Sequence, residues 1–223
     1  VRSRGLGDVY KRQVPTKTFA AYGSVTEPFL PETRAKAVDY IAEVYRWLRL
    51  PSQVSTKIVI GDSLAEQLKM AEPSISILVT VVTLNYASRL ERFAPSPIDR
   101  VQGIATAAKH GLPAYLFVRP LTPGVSEREL EQILEMAAEC SARGVVFGSL
   151  RITESIIQRL RAVGVDVSPI LKRAPTLPRG SKQIAIKMSD IIENAMKMAE
   201  DCGLKPFRSA CMANVDAHND FCH

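Results

Sequence analysis

Polar side chains able to hold a small molecule gather in five short clusters: Thr26 with Glu27, then Ser55, Thr56 and Lys57, then Thr80 and Thr83, then Arg119, then Ser149 with Arg151. Each falls within or just after an apolar, strand-like run. Together they offer hydroxyl donors, three cations and one carboxylate, a set suited to an anionic or zwitterionic ligand. They include no histidine, no cysteine and no nucleophile paired with a base, so hydrolysis has no visible machinery. The bland alternative is that such residues merely finish strands at the solvent boundary.

The runs that carry these clusters are residues 18–24, 53–60, 77–84, 114–118 and 145–152. Helix-like stretches separate them. One begins at Pro31 and lines up Ala37, Val38, Ile41, Val44, Tyr45 and Leu48 on one face; a short one covers residues 64–70. In the next, Ile98, Val101, Ile104, Ala105 and Ala108 recur at helical spacing after the punctuation of Pro95, Ser96 and Pro97. Ser126 and Glu129 have capping-box spacing before the next, and Thr153 caps another that carries Ile156, Ile157, Leu160 and Val163. Strand and helix alternating through Gly164 predict an α/β fold with a parallel sheet, either open and doubly wound or part of a (β/α) barrel. In both, ligands sit at the C-terminal ends of the strands, where the polar clusters fall. No glycine-rich dinucleotide fingerprint or P-loop follows any strand.

Beyond Gly164 the rhythm changes. A proline-rich crossover covers residues 167–180, a helix is expected over 184–202 and a last strand over 207–213. Met188, Met196 and Met198 on that helix read as core filler. The expected division is therefore a barrel over residues 14–164 and a C-terminal extension over 165–223.

The chain has 223 residues, 46% hydrophobic, and a net charge of +6. Residues 1–13 do not read as native protein: back-translated, the run DVYKRQ resembles the transposon end of sequencing adapters. They are taken as a scar, and they supply +3 of the +6. The remainder gives no support to a nucleic-acid partner. The native chain is expected to have begun upstream of Val14. No apolar run is long enough to span a bilayer. The four cysteines, Cys140, Cys202, Cys211 and Cys222, are too irregular for a disulfide scaffold, so a reducing, cytoplasmic compartment is expected.

Five motifs in order, VTEPFLPE, VSTK, the threonine-bearing strand, RLERFAPSPIDRV and VRPLTPG, resemble the radical S-adenosylmethionine (SAM) enzymes, and among them the spore photoproduct lyase-like branch. The resemblance covers residues 19–153. It implies a partial (β/α) barrel whose first, cluster-bearing strand is missing here. It also implies that SAM is cleaved reductively to a 5′-deoxyadenosyl radical, which abstracts hydrogen from the substrate. Carried over, Thr26 stands where a hydroxyl or acid contacts SAM, and Lys57 matches the lysine that meets the SAM carboxylate. Thr80 matches a strand serine that bonds the cofactor, with Thr83 close by, and Ser55 of the VSTK motif is a further candidate cofactor contact. Arg119 and Arg151 have no firm counterpart and are plausible contacts to SAM or substrate. DNA as substrate and a flavodoxin or ferredoxin as electron donor come from the resemblance alone.

The sequence departs from the pattern. Glu27 stands where aspartate is usual, Val82 where threonine or asparagine is usual, and Arg92 replaces a proline. The C-x-x-x-C-x-x-C triad that ligates a [4Fe–4S] cluster is absent, so the chain as it stands is expected to be inactive. Cys202, Cys211 and Cys222, with His218 and His223, are a candidate auxiliary metal site, although their spacing is not the close pairing of zinc ligands. Two rival readings stand beside the radical SAM one: a non-catalytic α/β module that binds an anionic small molecule, and a truncated TIM-barrel lyase.

Overall fold

The computed structural model describes residues 18–219. The adapter-like residues 1–13, Cys222 and His223 lie outside the described residues. Six strands form one parallel sheet: β1 (Ala20–Tyr22), β2 (Ser52–Thr56), β3 (Ser76–Thr80), β4 (Ala114–Leu121), β5 (Gly144–Ser149) and β8 (Lys205–Phe207). A second, two-stranded sheet pairs β6 (Arg151–Ile152) with β7 (Ile184–Ala185) in antiparallel sense. The helices are α1 (Arg34–Leu48), α2 (Asp62–Ala71), α3 (Ala87–Leu90), α4 (Pro97–Lys109), α5 (Ser126–Glu139), α6 (Glu154–Ala162), α7 (Ser168–Leu171), α8 (Ser189–Asp201) and α9 (Ala210–His218).

The strand order is β1-β2-β3-β4-β5-β8, with every neighbour parallel. A doubly wound sheet reverses its order at a switch point, whereas a barrel adds each strand beside the last. This sheet never reverses, so the barrel alternative holds. The last strand comes from the far side of Gly164: β8 pairs with β5 through Val145↔Pro206 and Val146↔Phe207, so the C-terminal segment completes the sheet.

Alternation along the strands divides the packing. Ile77, Val79, Leu116, Val118, Val145 and Phe147 face outward and pack with Ile41, Leu68, Ile104, Ile133 and Ile191 from the helices. Leu78, Tyr115, Val146 and Phe207 face inward and meet Ala213 of α9. Helix α9 thus plugs one end of the half-barrel, fastened mainly through Asp216. That carboxylate accepts from the Tyr115 hydroxyl (2.7 Å), Arg143 Nε (2.7 Å) and Lys205 Nζ (3.0 Å).

Several expected elements shift for local reasons. The second strand stops at Thr56 rather than continuing to residue 60, because the Glu27 carboxylate takes the Lys57 N–H (2.8 Å) out of the ladder. Ser126 and Glu129 do not form a capping box. Val125 occupies the cap position, and Glu129 turns instead to the loop after β3. The helix expected from residue 184 starts at Ser189, since the Lys187 N–H is held by the Arg173 carbonyl (2.9 Å) and residues 184–185 form β7. The strand expected over 207–213 ends at Phe207, because the Ser209 hydroxyl accepts from Met212 N (3.3 Å) and starts α9. The Thr153 cap stands as expected, accepting from Ile156 N (3.2 Å). No described helix is long and apolar enough to cross a membrane.

Burial alone pushes the Asp216 carboxyl up, but the Tyr115 hydroxyl, Lys205 and Arg143 together outweigh it and hold it below the usual carboxylate value. Its contribution to stability is therefore complete above that usual value and is lost as pH falls through the lowered one. Asp216→Asn should destabilise the chain by about 2 kcal/mol at pH 7 in urea denaturation. The gap to the unsubstituted protein should close on acidification; a gap that stays constant to pH 3 contradicts the plug's dependence on this charge.

Candidate functional site

The inward face changes character along the strands, from apolar against α9 to polar at the C-terminal ends. A cavity of about 590 Å³ opens there, within the range of small-molecule sites. Its walls are the loop from Gly23 to Glu27 and the ends of β2, β3 and β4; its floor includes Gln53, Leu78, Phe117 and Ala210.

The loop after β1 is shaped by a close approach. Gly23 has φ +78°, and a Cβ there would lie 2.0 Å from the Ser55 carbonyl oxygen, so no other residue fits without moving β2. The Ser55 hydroxyl donates to the Gly23 carbonyl (2.8 Å), tying the two strands together at the cavity wall. Glu27 then folds back onto β2. It accepts from the Thr56 hydroxyl (2.7 Å), Lys57 N (2.8 Å) and Phe29 N (3.2 Å). Its carboxylate is thus largely occupied in holding the wall, and Thr26 beside it keeps an exposed hydroxyl at the cavity.

Lys57 stands at the rim with its side chain 45% exposed, and its Nζ lies 2.8 Å from Glu91 Oε1. Glu91 Oε2 in turn lies 2.6 Å from Nη2 of Arg100, a fully buried arginine whose Nη1 donates to the Thr80 carbonyl (2.7 Å). Thr80 itself is buried with one side on the cavity. Across the cavity, Arg119 leans over β5. A Cβ at Gly148 would lie 2.4 Å from Arg119 Cγ and 2.5 Å from Cδ, so the glycine is what leaves room for the arginine stem. Among the described residues, no acceptor pairs with the Arg119 guanidinium.

Of the residues expected to bind cofactor, the structure brings Thr26, Glu27, Ser55, Lys57, Thr80 and Arg119 to one cavity. Two are placed elsewhere. Thr83 lies beyond the end of β3, fully buried, where its hydroxyl donates to Glu129 (2.9 Å) and accepts from Tyr86 N (3.2 Å). Arg151 sits on β6 opposite Ala185 and does not line the cavity. Of the candidate metal residues, Cys222 and His223 lie outside the described residues; among the described residues, no group of three or more His, Cys, Asp or Glu able to hold an ion occurs. Cys202 ends α8, its thiol pushed up chiefly by burial, while Cys211 is exposed in the first turn of α9.

Two site residues were missed in the sequence. Gln53 is buried on the cavity floor and donates to the Ala210 carbonyl (3.0 Å), joining the site to the plug helix. Its signal was the polar alternation Gln53, Ser55, Lys57 along one strand. Glu91 had no local signal beyond its place in RLERF.

No family model matches the sequence, and no curated protein does. Solved structures do match. A spore photoproduct lyase mutant with bound AdoMet and dinucleoside spore photoproduct superposes with TM-score 0.68 at 12% identity, over 91% of this chain and 65% of that one. Another spore photoproduct lyase, complexed with dinucleoside spore photoproduct, gives 0.65 at 12% identity, over 90% and 64%. A domain of pyruvate-formate lyase-activating enzyme from Bacteroides vulgatus ATCC 8482 gives 0.58 at 12% identity, over 86% of this chain and 99% of that domain. This chain thus spans slightly less than two thirds of the spore photoproduct lyases it matches. It has the partial (β/α) barrel fold of radical SAM enzymes, the fold its motifs resemble.

Proposed function

We propose that the cavity binds S-adenosylmethionine and that the chain is part of a radical SAM enzyme. The observation that carries this reading is the gathering of Thr26, Ser55, Lys57, Thr80 and Arg119 at the strand ends of a barrel whose structural match holds AdoMet. The donor set fits that ligand. An ammonium has three N–H donors, so Lys57 keeps donors beyond its pairing with Glu91 for a carboxylate. The hydroxyls of Thr26, Ser55 and Thr80 supply neutral acceptors and donors. Leu78 and Phe117 add apolar surface to the lining, which suits a purine.

The residues present do not fit an iron–sulfur cluster. The chain holds four cysteines in no C-x-x-x-C-x-x-C spacing, and no metal-ligating group stands among the described residues. The reading for this chain is therefore binding and orientation of SAM, with reductive cleavage belonging to a longer protein that supplies the thiolates. The bound dinucleoside in the similar structures supports a nucleic-acid lesion as one substrate class. A flavodoxin- or ferredoxin-type electron donor belongs to the same proposal. The missing triad also favours a second reading, a non-catalytic module that binds an anionic small molecule in the same cavity.

Calorimetric titration with SAM separates the two. Saturable binding to the full chain is expected, weakened by roughly tenfold in Lys57→Met and in Thr80→Val, the loss of one charged or neutral hydrogen bond. No binding heat with SAM, beside clear binding of small dianions, would favour the second reading. Gly148→Ala tests Arg119 from the other side of the cavity. Its new methyl would displace the arginine stem, so Gly148→Ala and Arg119→Met should change SAM affinity alike. The double variant should bind no worse than either single one.

A further inference from the structure

Lys57 is a long, half-exposed side chain, and an exposed ion pair by itself is worth little because both partners are mobile. The partner here is not mobile. The Glu91 side chain is only 5% exposed, and its two oxygens point to different cations: Oε1 to Lys57 (2.8 Å) and Oε2 to Arg100 (2.6 Å). Arg100 is held from three sides. Helix α4 carries it just after the Ser96 cap, its Nη1 is fixed on the Thr80 carbonyl (2.7 Å), and it is wholly buried. A guanidinium does not shed its proton at any ordinary pH. A buried, unpaired charge is costly, and Arg100 Nε already lacks an acceptor. Among the described residues Glu91 is the one carboxylate paired with Arg100, so it cannot swing to solvent without stranding that charge.

We propose that Glu91 is a positioning residue that fixes the Lys57 ammonium at the cavity rim, and that the buried Arg100 is the anchor that fixes Glu91. The proposal rests on the reading of the cavity as a SAM site. The relay spans both walls of that cavity, since the same guanidinium that holds Glu91 also holds the end of β3 where Thr80 lines the site. The Lys57–Glu91 contact is an ion pair at 2.8 Å and not a hydrogen bond, since Glu91 Oε1 has no hydrogen-bond partner; it sets where the ammonium sits, and a ligand carboxylate meets a charge already placed. Each member of the relay comes from a different element: the strand end after Thr56, the turn after α3, and the first turns of α4.

A double-substitution cycle read by SAM titration tests the relay. Glu91→Gln should weaken SAM binding roughly three- to tenfold, the scale of an oriented ion pair. In a Lys57→Met background it should have no further effect, because Glu91 acts only through Lys57. Losses that add in the double variant would overturn the proposal. Glu91→Gln strands the Arg100 charge, so the paired Glu91→Gln/Arg100→Met chain removes both buried charges together. Such a replacement is often neutral for folding. It should fold by circular dichroism and bind SAM as weakly as Lys57→Met; binding at the unsubstituted affinity would also overturn the relay. A readout independent of SAM is the ¹³C signal of reductively methylated Lys57, assigned by Lys57→Arg. It should move to the position of exposed lysines in the paired variant, and an unmoved signal counts against Glu91. If the unsubstituted chain fails to bind SAM but the Lys57 signal moves, the ligand assignment falls and the relay stands.

Discussion

The cavity depends on one constraint: where parallel strands stop, their backbone groups lose ladder partners and must find others out of water's reach. In this chain acidic side chains from distant segments meet that need. Glu27 takes the N–H of Lys57 after β2, Glu129 takes those of Leu84 and Asn85 after β3, and Glu72 takes that of Ser52 at the start of β2. Arg100 does the same for a carbonyl, that of Thr80. Each link ties a strand end, or the loop beyond it, to another element. At the cavity itself, Glu27 and Arg100 complete the hydrogen bonds at the ends of β2 and β3 with side chains.

The opposite end of the half-barrel is closed by packing and charge. Small residues, Ala210, Ala213 and Ala217, let α9 approach the inward face closely beside Leu78, Tyr115, Val146 and Phe207. The clamp at Asp216 and the contact between Ser76 and Asn214 (3.3 Å) then hold its register. Gln53 connects the two regions, since its side chain lies on the cavity floor and donates to the first residue of the plug. The site is thus bounded below by the C-terminal segment, which the sequence rhythm had set apart from the barrel.

Local chemistry was legible. The alternation of apolar runs, the proline punctuation before α4, the Thr153 cap and the polar strand ends all follow from neighbouring residues, and the parallel barrel with its cavity is built on them. What the sequence hid were partnerships across long separations. Glu129 has capping-box spacing, yet its partners are 44 to 46 residues away, and a buried carboxylate goes where several N–H groups lack acceptors. Thr83 was drawn off the cavity by the same carboxylate. Helix α9 reads apolar on several faces because it fits inside the barrel mouth, so its periodicity carried no clear helical stripe and suggested a strand.

The two cations of the cavity differ in what they can offer a ligand. Lys57 already faces a fixed carboxylate, so the field it presents is partly cancelled and is chiefly directional. Arg119 faces no described acceptor and lies over a glycine, so its charge is uncompensated within the site. A zwitterion with a compact carboxylate suits the first end, where orientation matters more than net charge. A group of full negative charge suits the second, where a planar guanidinium can pair with it in two parallel hydrogen bonds.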